Sequence, residues 1–348
     1  MIPSLAIHPP RRPSRRPGRF FRITHRVADR MTPKVAAALS DAVLRLQGRI
    51  DVVALRAAVV GGNLSVIEGA AGSGQIQAIL LGDPVLLHGL TRTTTLVGEE
   101  GASVLGQVTG LNSSFNRFHP NVVLYARTQV GNLVSQIGQD VKEAIRVVVA
   151  LGAGVGLTPV QQARAIQEVI GLPPNWAQAP LHFAEELRNG QVNASRLLRT
   201  PVAGGGSTPQ SLRYAEELRR GIAQGKHLSP EWVASQQSRY SKNLLRRRAL
   251  NIARTETMRA AVAGQAESWS QAVRQGVLPR TARRFPIVTP DERLRPTHRA
   301  IPGMNLNGVR LTEPYRTPMG PLMHPPFGPL CRCGEALMFQ HGGRRRFL

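Results

Sequence analysis

The most regular pattern of apolar positions lies in the middle of the chain. Apolar side chains recur every three or four residues at Val130, Leu133, Val134, Ile137, Val141, Ile145 and Val148. Positions with this spacing share one face of an α-helix, because a helical turn takes about 3.6 residues. The pattern therefore predicts a long helix with one buried face.

Two shorter helices are predicted directly after it. Thr158, with Pro159 next and Gln161 three positions on, has the spacing of a capping box, which marks the start of a helix. The apolar stripe that follows ends at Gly171, a residue typical of helix ends. A third helix is predicted to end near residues 187–190. Short connections between such helices favour antiparallel packing.

The beginning of the chain has a different composition. Residues 1–30 hold eight arginines, five prolines and one acid. So polar and proline-rich a segment cannot bury a continuous face, which predicts a disordered basic arm. Thr32 and Pro33 are the expected N-cap and first residue of the next helix. Short helices are predicted over residues 39–111.

The second half is predicted to contain a linker and then a long helix. The run Gly204–Pro209 is typical of a linker, and Ser229 followed by Pro230 caps the long helix. Glu256 falls on the apolar side of that helix. A buried carboxylate needs a partner, and Arg293, Arg295 and Arg299 are the candidates.

The last part predicts a small β element. Phe285–Val288 and Leu306–Leu311 have the composition of short strands or hairpin arms, and Asn307-Gly308 is a two-residue turn signal. The expected fold is mainly α, with a helical body, a small irregular α+β unit near the end and the disordered arm. The predicted domains are 1–30 (arm), 31–200 (helical body), 201–228 (linker), 229–340 (long helix and C-terminal unit) and 341–348 (basic tail).

Charge points to a polyanionic partner. Lysine and arginine together number 45 against 21 acids, which gives a formal net charge of +24. Such a field attracts nucleic acid, although a GC-rich coding sequence would also enrich arginine. The residues predicted to contact DNA phosphates are Arg11, Arg12, Arg15, Arg16, Arg19, Arg22 and Arg26.

Two cysteines, Cys331 and Cys333, offer candidate chemistry. In an extended segment, residues two apart project to the same side, so both thiols could join His298 in a zinc site, with His324 as a candidate fourth ligand. The spacing differs from that of zinc fingers and ribbons. Two buried reduced thiols, or a strained redox disulfide, are the alternatives.

No motif for an enzyme is evident. Gly69–Gly74 lacks the Lys-Ser/Thr pair of a phosphate-binding loop, and no zinc-protease or nucleophile-elbow motif occurs. No apolar run is long enough to predict a membrane span, and the arm lacks the apolar centre of a secretory signal. The expectation is a non-enzymatic protein without a certain cofactor.

Three blocks in order resemble one family. Ala253–Thr257 (ARTET) is followed by Asp291–His298 (DERLRPTH), with Gly303, and then by Pro325–Cys333, which closes on C-R-C. This series resembles the Mu F-like head morphogenesis proteins of tailed bacteriophages, over about residues 30–340. Residues of the family motif in this sequence are Arg254, Glu256, Asp291, Arg293, Arg295, His298, Cys331 and Cys333.

The resemblance implies a minor capsid protein inside the phage head. It implies association with the portal and the capsid shell, contact with packaged double-stranded DNA, several copies per virion, and a role in procapsid assembly and DNA packaging or delivery. Two alternatives belong to other classes. One is a protein ejected with the DNA, and the other is an enzyme or toxin-like module in which Arg254, Glu256, Asp291 and His298 form a site.

Overall fold

The computed structural model describes residues 18–191, 209–289 and 294–348. The fold is mainly helical with a small antiparallel sheet near the end of the chain, as the sequence predicts. The helices of the described residues are α1 (Arg19–Arg49), α2 (Val52–Gly61), α3 (Leu64–Ala70), α4 (Gln75–Leu81), α5 (Pro84–Thr109), α6 (Pro120–Gly154), α7 (Pro159–Val169), α8 (Ala179–Arg188), α9 (Pro209–Ala223), α10 (Pro230–Arg274) and α11 (Pro296–Met304). No described helix has an apolar stretch that could cross a bilayer.

The chain divides into two compact units, each assembled from separate segments. The helical unit comprises Ala28–Thr95 and Arg117–Ala260, and the mixed unit comprises Met1–Val27, Leu96–Asn116 and Ala261–Leu348. The predicted domains, by contrast, are continuous stretches of sequence. Three long helices, α1, α5 and α10, each contribute residues to both units, so a unit cannot be read as one span of sequence.

Helix α1 corrects two predictions about the start of the chain. Residues 19–30 are helical rather than a disordered arm, and Pro33 lies inside the helix rather than at its first position. Phe20, Ile23 and Val27 are buried at helical spacing, so this basic segment also contains an apolar stripe. Thr32 Oγ1 donates to the Ala28 carbonyl at 2.8 Å. The predicted arm upstream of Gly18 lies outside the described residues.

The predictions for α6 and α7 are confirmed. All seven residues of the stripe from Val130 to Val148 are buried in the core of the helical unit. Thr158 and Gln161 form the predicted capping box at the start of α7. Gly171 follows that helix with φ 86°, a left-handed conformation that glycine adopts without steric cost.

The predicted linker is wrong where the structure describes it. Pro209–Ala223 forms α9, and Lys226–Leu228 forms a 3-10 turn. Tyr214 and Leu218, four residues apart, are buried against Phe183 of α8 and Val233 of α10. The glycine run ahead of Pro209 is typical of a linker, and this composition outweighed the helical spacing of Tyr214 and Leu218 in the prediction. The expected start of α10 is confirmed, because the Trp232 amide donates to Ser229 Oγ at 3.2 Å.

The sheet has four antiparallel strands in the order β2-β1-β3-β4. They are β1 (Arg283–Ile287), β2 (Val309–Arg310), β3 (Gly334–His341) and β4 (Arg344–Phe347). The expected turn at Asn307-Gly308 is present, because the Gly308 amide donates to the Asn305 carbonyl at 2.9 Å. Of Leu306–Leu311, however, only Val309–Arg310 is a strand. The expected basic tail contains β4, which pairs with β3.

Among its described residues, the mixed unit has two apolar cores. One joins Phe20 of α1, Leu105 of α5 and Trp269 of α10 to Leu337 and Phe339 of β3. Phe20 and Trp269 meet edge to face, with ring centroids 5.2 Å apart. The second core, under α11, consists of Ile301, Val309, Tyr315, Phe327, Cys331 and Cys333. This second core is small, and it surrounds the candidate site.

Candidate functional site

The candidate site lies where α11 meets the segment that leads into β3. Pro296 occupies the first turn of α11, where its missing N–H needs no partner, and His298 follows it on the buried side. On the other segment, the Cys331 amide donates to the Gly328 carbonyl at 3.2 Å, which closes a turn. This turn directs Cys331 towards His298.

Three side chains converge there into one buried group, called here the thiol–imidazole cluster: His298, Cys331 and Cys333. Their ligand atoms all lie within 4.8 Å of one another. His298 Nδ1 lies 3.6 Å from Cys331 Sγ and 3.7 Å from Cys333 Sγ. Both cysteines are free, so the disulfide alternative does not describe this conformation. The donor set of two sulfurs and one imidazole nitrogen suits a soft transition metal.

The electrostatics of the cluster make the two thiols unequal. A hydrogen bond from the Cys333 thiol is the largest influence on Cys331 and lowers its pKa to about 7. The same hydrogen bond raises the pKa of Cys333, and burial adds to the effect. Burial lowers the pKa of His298, and the nearby charge of Arg295 lowers it further. The Cys331 thiol therefore ionises more readily than the Cys333 thiol.

His324 does not belong to the cluster, and its prediction as a fourth ligand is wrong. Its Nδ1 lies 3.2 Å from each carboxylate oxygen of Glu335 and 3.0 Å from Arg284 Nη1. The imidazole of His324 therefore binds the carboxylate of Glu335 on β3 rather than the cysteines. The structure thus assigns it to a second polar group, which centres on Arg284.

Arg284 and Glu335 form a fully buried ion pair that the sequence did not reveal. Arg284 Nη1 lies 2.6 Å from Glu335 Oε1, and neither side chain is exposed. Arg284 also donates to the carbonyls of Arg310, Met323 and Glu313. Burial raises the pKa of Glu335, but His324 and Arg284 together outweigh burial and hold it below its ordinary value. The pair joins β1, β3 and the segment after β2.

Glu256 is buried as predicted, but with other partners. Its carboxylate accepts from Gln129 Nε2 at 2.6 Å and from Arg259 Nη1 at 2.7 Å, all within the helical unit. The expected partners Arg295 and Arg299 are therefore wrong, and Arg293, the third, lies outside the described residues. An arginine three residues further along the same helix can reach the carboxylate without a tertiary partner. Arg254 lies two positions before Glu256 on α10 and is not its partner.

The remaining predicted residues have separate places. Arg295 donates to the Pro329 carbonyl at 2.7 Å and so holds the turn beside the cluster. Arg19, Arg22 and Arg26 are exposed on α1. Arg26 forms an ion pair with Glu100. Asp291, Arg293, Arg11, Arg12, Arg15 and Arg16 lie outside the described residues.

A second set of exposed arginines lies on β4, at the edge of the sheet. Arg344, Arg345 and Arg346 follow one another there and are all exposed. Gly18, directly before α1, contacts Leu348, directly after β4, because a Cβ placed on Gly18 would lie 2.4 Å from the Leu348 carbonyl carbon. The exposed arginines of these two segments, Arg19, Arg22 and Arg344–Arg346, are called here the basic edge.

Comparison with known proteins agrees with the sequence motif. Residues 213–336 match the family described as Phage Mu protein F like protein. The match begins in α9 and ends in β3, so it covers less of the chain than the expected 30–340, and it includes Glu256 and the thiol–imidazole cluster. No curated protein and no solved structure matched the chain.

Proposed function

We propose that the protein is a minor head protein of a tailed bacteriophage, which acts in head morphogenesis and is part of the virion. The observation that carries this proposal is the match of residues 213–336 to the Mu F-like family. In the finer proposal the protein lies inside the head in several copies. Its partners there are the portal protein, the capsid shell protein and the packaged double-stranded DNA.

The charge of the chain supports contact with DNA. A formal net charge of +24 gives a strong attraction to a phosphate polymer. The basic edge offers a specific surface for this contact, because its arginines are exposed and come from two segments that touch. Arginine binds phosphate through parallel N–H donors. Such contacts fix the protein on the duplex without selecting a sequence.

The place of the protein in the particle is tested in the phage that encodes it. We expect mass spectrometry to find the protein in both procapsids and virions, and cross-linking in procapsids to join it to the portal protein. Phage with an early stop codon in this gene should form heads that are defective in assembly or packaging, and the gene supplied in trans should restore them. Its absence from procapsids would contradict the proposal. Loss of the intact protein from DNA-emptied particles would favour the ejected-protein alternative.

The DNA contact is tested by removing charge from the basic edge. The triple variant R344Q/R345Q/R346Q should bind duplex DNA more weakly, and the slope of log affinity against log salt should become shallower by about 3 if all three side chains contact phosphates. The matched control is R213Q/R219Q/R220Q, which removes the same charge from exposed positions on α9. Equal losses in the two variants would mean that binding follows total charge and not the basic edge.

A further inference from the structure

The geometry of the thiol–imidazole cluster is that of three corners of a metal site. Zinc lies about 2.3 Å from sulfur and about 2.0 Å from nitrogen, so a tetrahedral ion holds sulfur and nitrogen ligands about 3.6 Å apart. The two observed distances from His298 Nδ1 to the sulfurs are 3.6 and 3.7 Å. Both nitrogen–sulfur separations are therefore already those that a bound ion requires, and the two sulfurs lie within 4.8 Å of each other.

The backbone shows how a Cys-x-Cys sequence reaches this geometry. Leu330, directly before Cys331, has φ 57°, a left-handed conformation that non-glycine residues adopt at a cost of about 1–3 kcal/mol. The Cys333 amide then donates to Cys331 Sγ at 3.3 Å, which fixes that sulfur from the backbone. A strained residue and an oriented sulfur are both expected where a loop is shaped around a ligand.

Few other elements stabilise the segment that carries the two cysteines. Residues 311–333 contain no helix or strand and only an isolated bridge between Tyr315 and Leu322. The core beneath them has four apolar side chains besides the two cysteines. So long a connection with so small a core is the setting in which proteins use a structural metal.

We propose that His298, Cys331 and Cys333 bind one zinc ion, with a water molecule as the fourth ligand, and that the ion fixes α11 to the segment before β3. This role goes beyond head morphogenesis and does not depend on it. His298 lies on α11 and the cysteines lie at the entry to β3, so a single ion links two elements that are more than 30 residues apart in sequence, 298 against 331. The Arg284–Glu335 pair also holds residues 311–333, because Arg284 donates to the carbonyls of Glu313 and Met323.

Metal analysis of the full-length protein is the first test. The protein is expressed without a histidine tag, purified under reducing conditions and analysed for zinc, copper and iron. We expect about one zinc per chain, and X-ray absorption should show two sulfur and two nitrogen or oxygen ligands, as this site implies. Less than about a tenth of an equivalent of any metal, or stoichiometric copper or iron in place of zinc, would overturn the proposal.

Substitutions then locate the ion. C331S, C333S and H298A should each lower zinc content to below about a tenth of an equivalent, whereas H341A, on β3, and H324A, beside Glu335, should keep it. Because a ligand variant could fail to fold, the wild-type protein provides an independent measurement. Cobalt(II) added after chelation should give a thiolate charge-transfer band and the strong visible bands of tetrahedral cobalt. Zinc retained by H298A, or cobalt spectra without a thiolate band, would refute the site.

The structural role has its own readout. Chelation of the wild-type protein should lower its melting temperature by at least about 5 °C, and zinc should restore it. Hydrogen exchange should increase mainly over residues 294–337 and remain unchanged in α6 and α7. Exchange that is unaffected by chelation would show that the ion, even if bound, does not hold this segment.

Discussion

The two units bury carboxylates in opposite ways. In the mixed unit, Glu335 faces a fully buried arginine and a histidine, and its pKa is held below the ordinary value. In the helical unit, burial raises the pKa of Glu168 to about 7, and the charges of Lys242 and Arg164 do not outweigh it. The structure gives the buried Oε2 of Glu168 no hydrogen-bond partner among the described residues.

The difference shows what decides the cost of a buried carboxylate. Glu256, between these extremes, has Arg259 and Gln129 within hydrogen-bonding distance, yet burial still raises its pKa. The side chain of Arg259 is 41% exposed, so solvent weakens its attraction, whereas Arg284 is 0% exposed. A partner therefore stabilises a buried charge most when the partner is buried too, and removing such a partner leaves an uncompensated charge.

The largest expected effect is in the Arg284–Glu335 pair. R284M should lower the free energy of unfolding of the mixed unit by about 3–5 kcal/mol, because Glu335 and several carbonyls lose their donor. R284M/E335L should be less destabilised than R284M, since no charge remains unpaired. Urea unfolding followed by Trp269 in a W176F/W232F background reports on this unit, because the other two tryptophans lie in the helical unit.

An exposed pair serves as the control for that comparison. Arg239 and Glu217 of the helical unit are 46% and 56% exposed, and R239M/E217L should change the free energy of unfolding of that unit by less than about 1 kcal/mol. This control is followed in a W269F background, which leaves Trp176 and Trp232 of the helical unit as reporters. If the double variant of the buried pair proves no more stable than R284M, the loss comes from packing and carbonyl donors rather than from charge.

A smaller, pH-dependent effect is expected at Glu168. Its folded pKa of about 7 exceeds the unfolded value of 4.5, so the folded state binds the proton more tightly. Stability from this group is present below pH 4.5 and is lost as the pH rises to about 7. E168Q mimics the neutral form and should be more stable than wild type by about 2 kcal/mol at pH 8, with little difference near pH 4.

The measurement is urea unfolding at several pH values in a W269F background, which leaves Trp176 and Trp232 in the helical unit. The control is E185Q. Glu185 lines the same cavity of about 450 Å³ as Glu168, but its side chain is exposed. An E168Q variant that is less stable than wild type at pH 8 would contradict the assignment of a raised pKa.

Local sequence patterns predicted the elements that depend on nearby residues. The stripe of α6, the capping box of α7 and the start of α10 are all determined by side chains within one or two turns. The buried state of Glu256 followed from its position in a stripe, and the approach of His298 to two cysteines followed from the motif. These features could be predicted because their causes lie close together in the sequence.

The failures arise from distant contacts. The arginines around Phe20 are exposed on a helix whose other face is covered by Trp269, a residue about 250 positions later, so local composition predicted a disordered arm. Nothing in the local sequence distinguishes Arg284 from the other arginines, and the pairing of β1 with β3 brings it to Glu335. The nearest indication of a buried Glu335 in the sequence is its position two residues after Cys333. In an extended chain, the side chains of residues two apart project to the same side.

The contact between Gly18 and Leu348 has a consequence for the order of folding. The helical unit consists of residues up to Ala260 and can form while synthesis continues, but Phe20 has no complete core until β3 and Leu348 have left the ribosome. Closing a loop of about 330 residues, 348 minus 18, is slow compared with forming local helices. The apolar start of α1 therefore lacks part of its core until β3 and the residues after it have been synthesised.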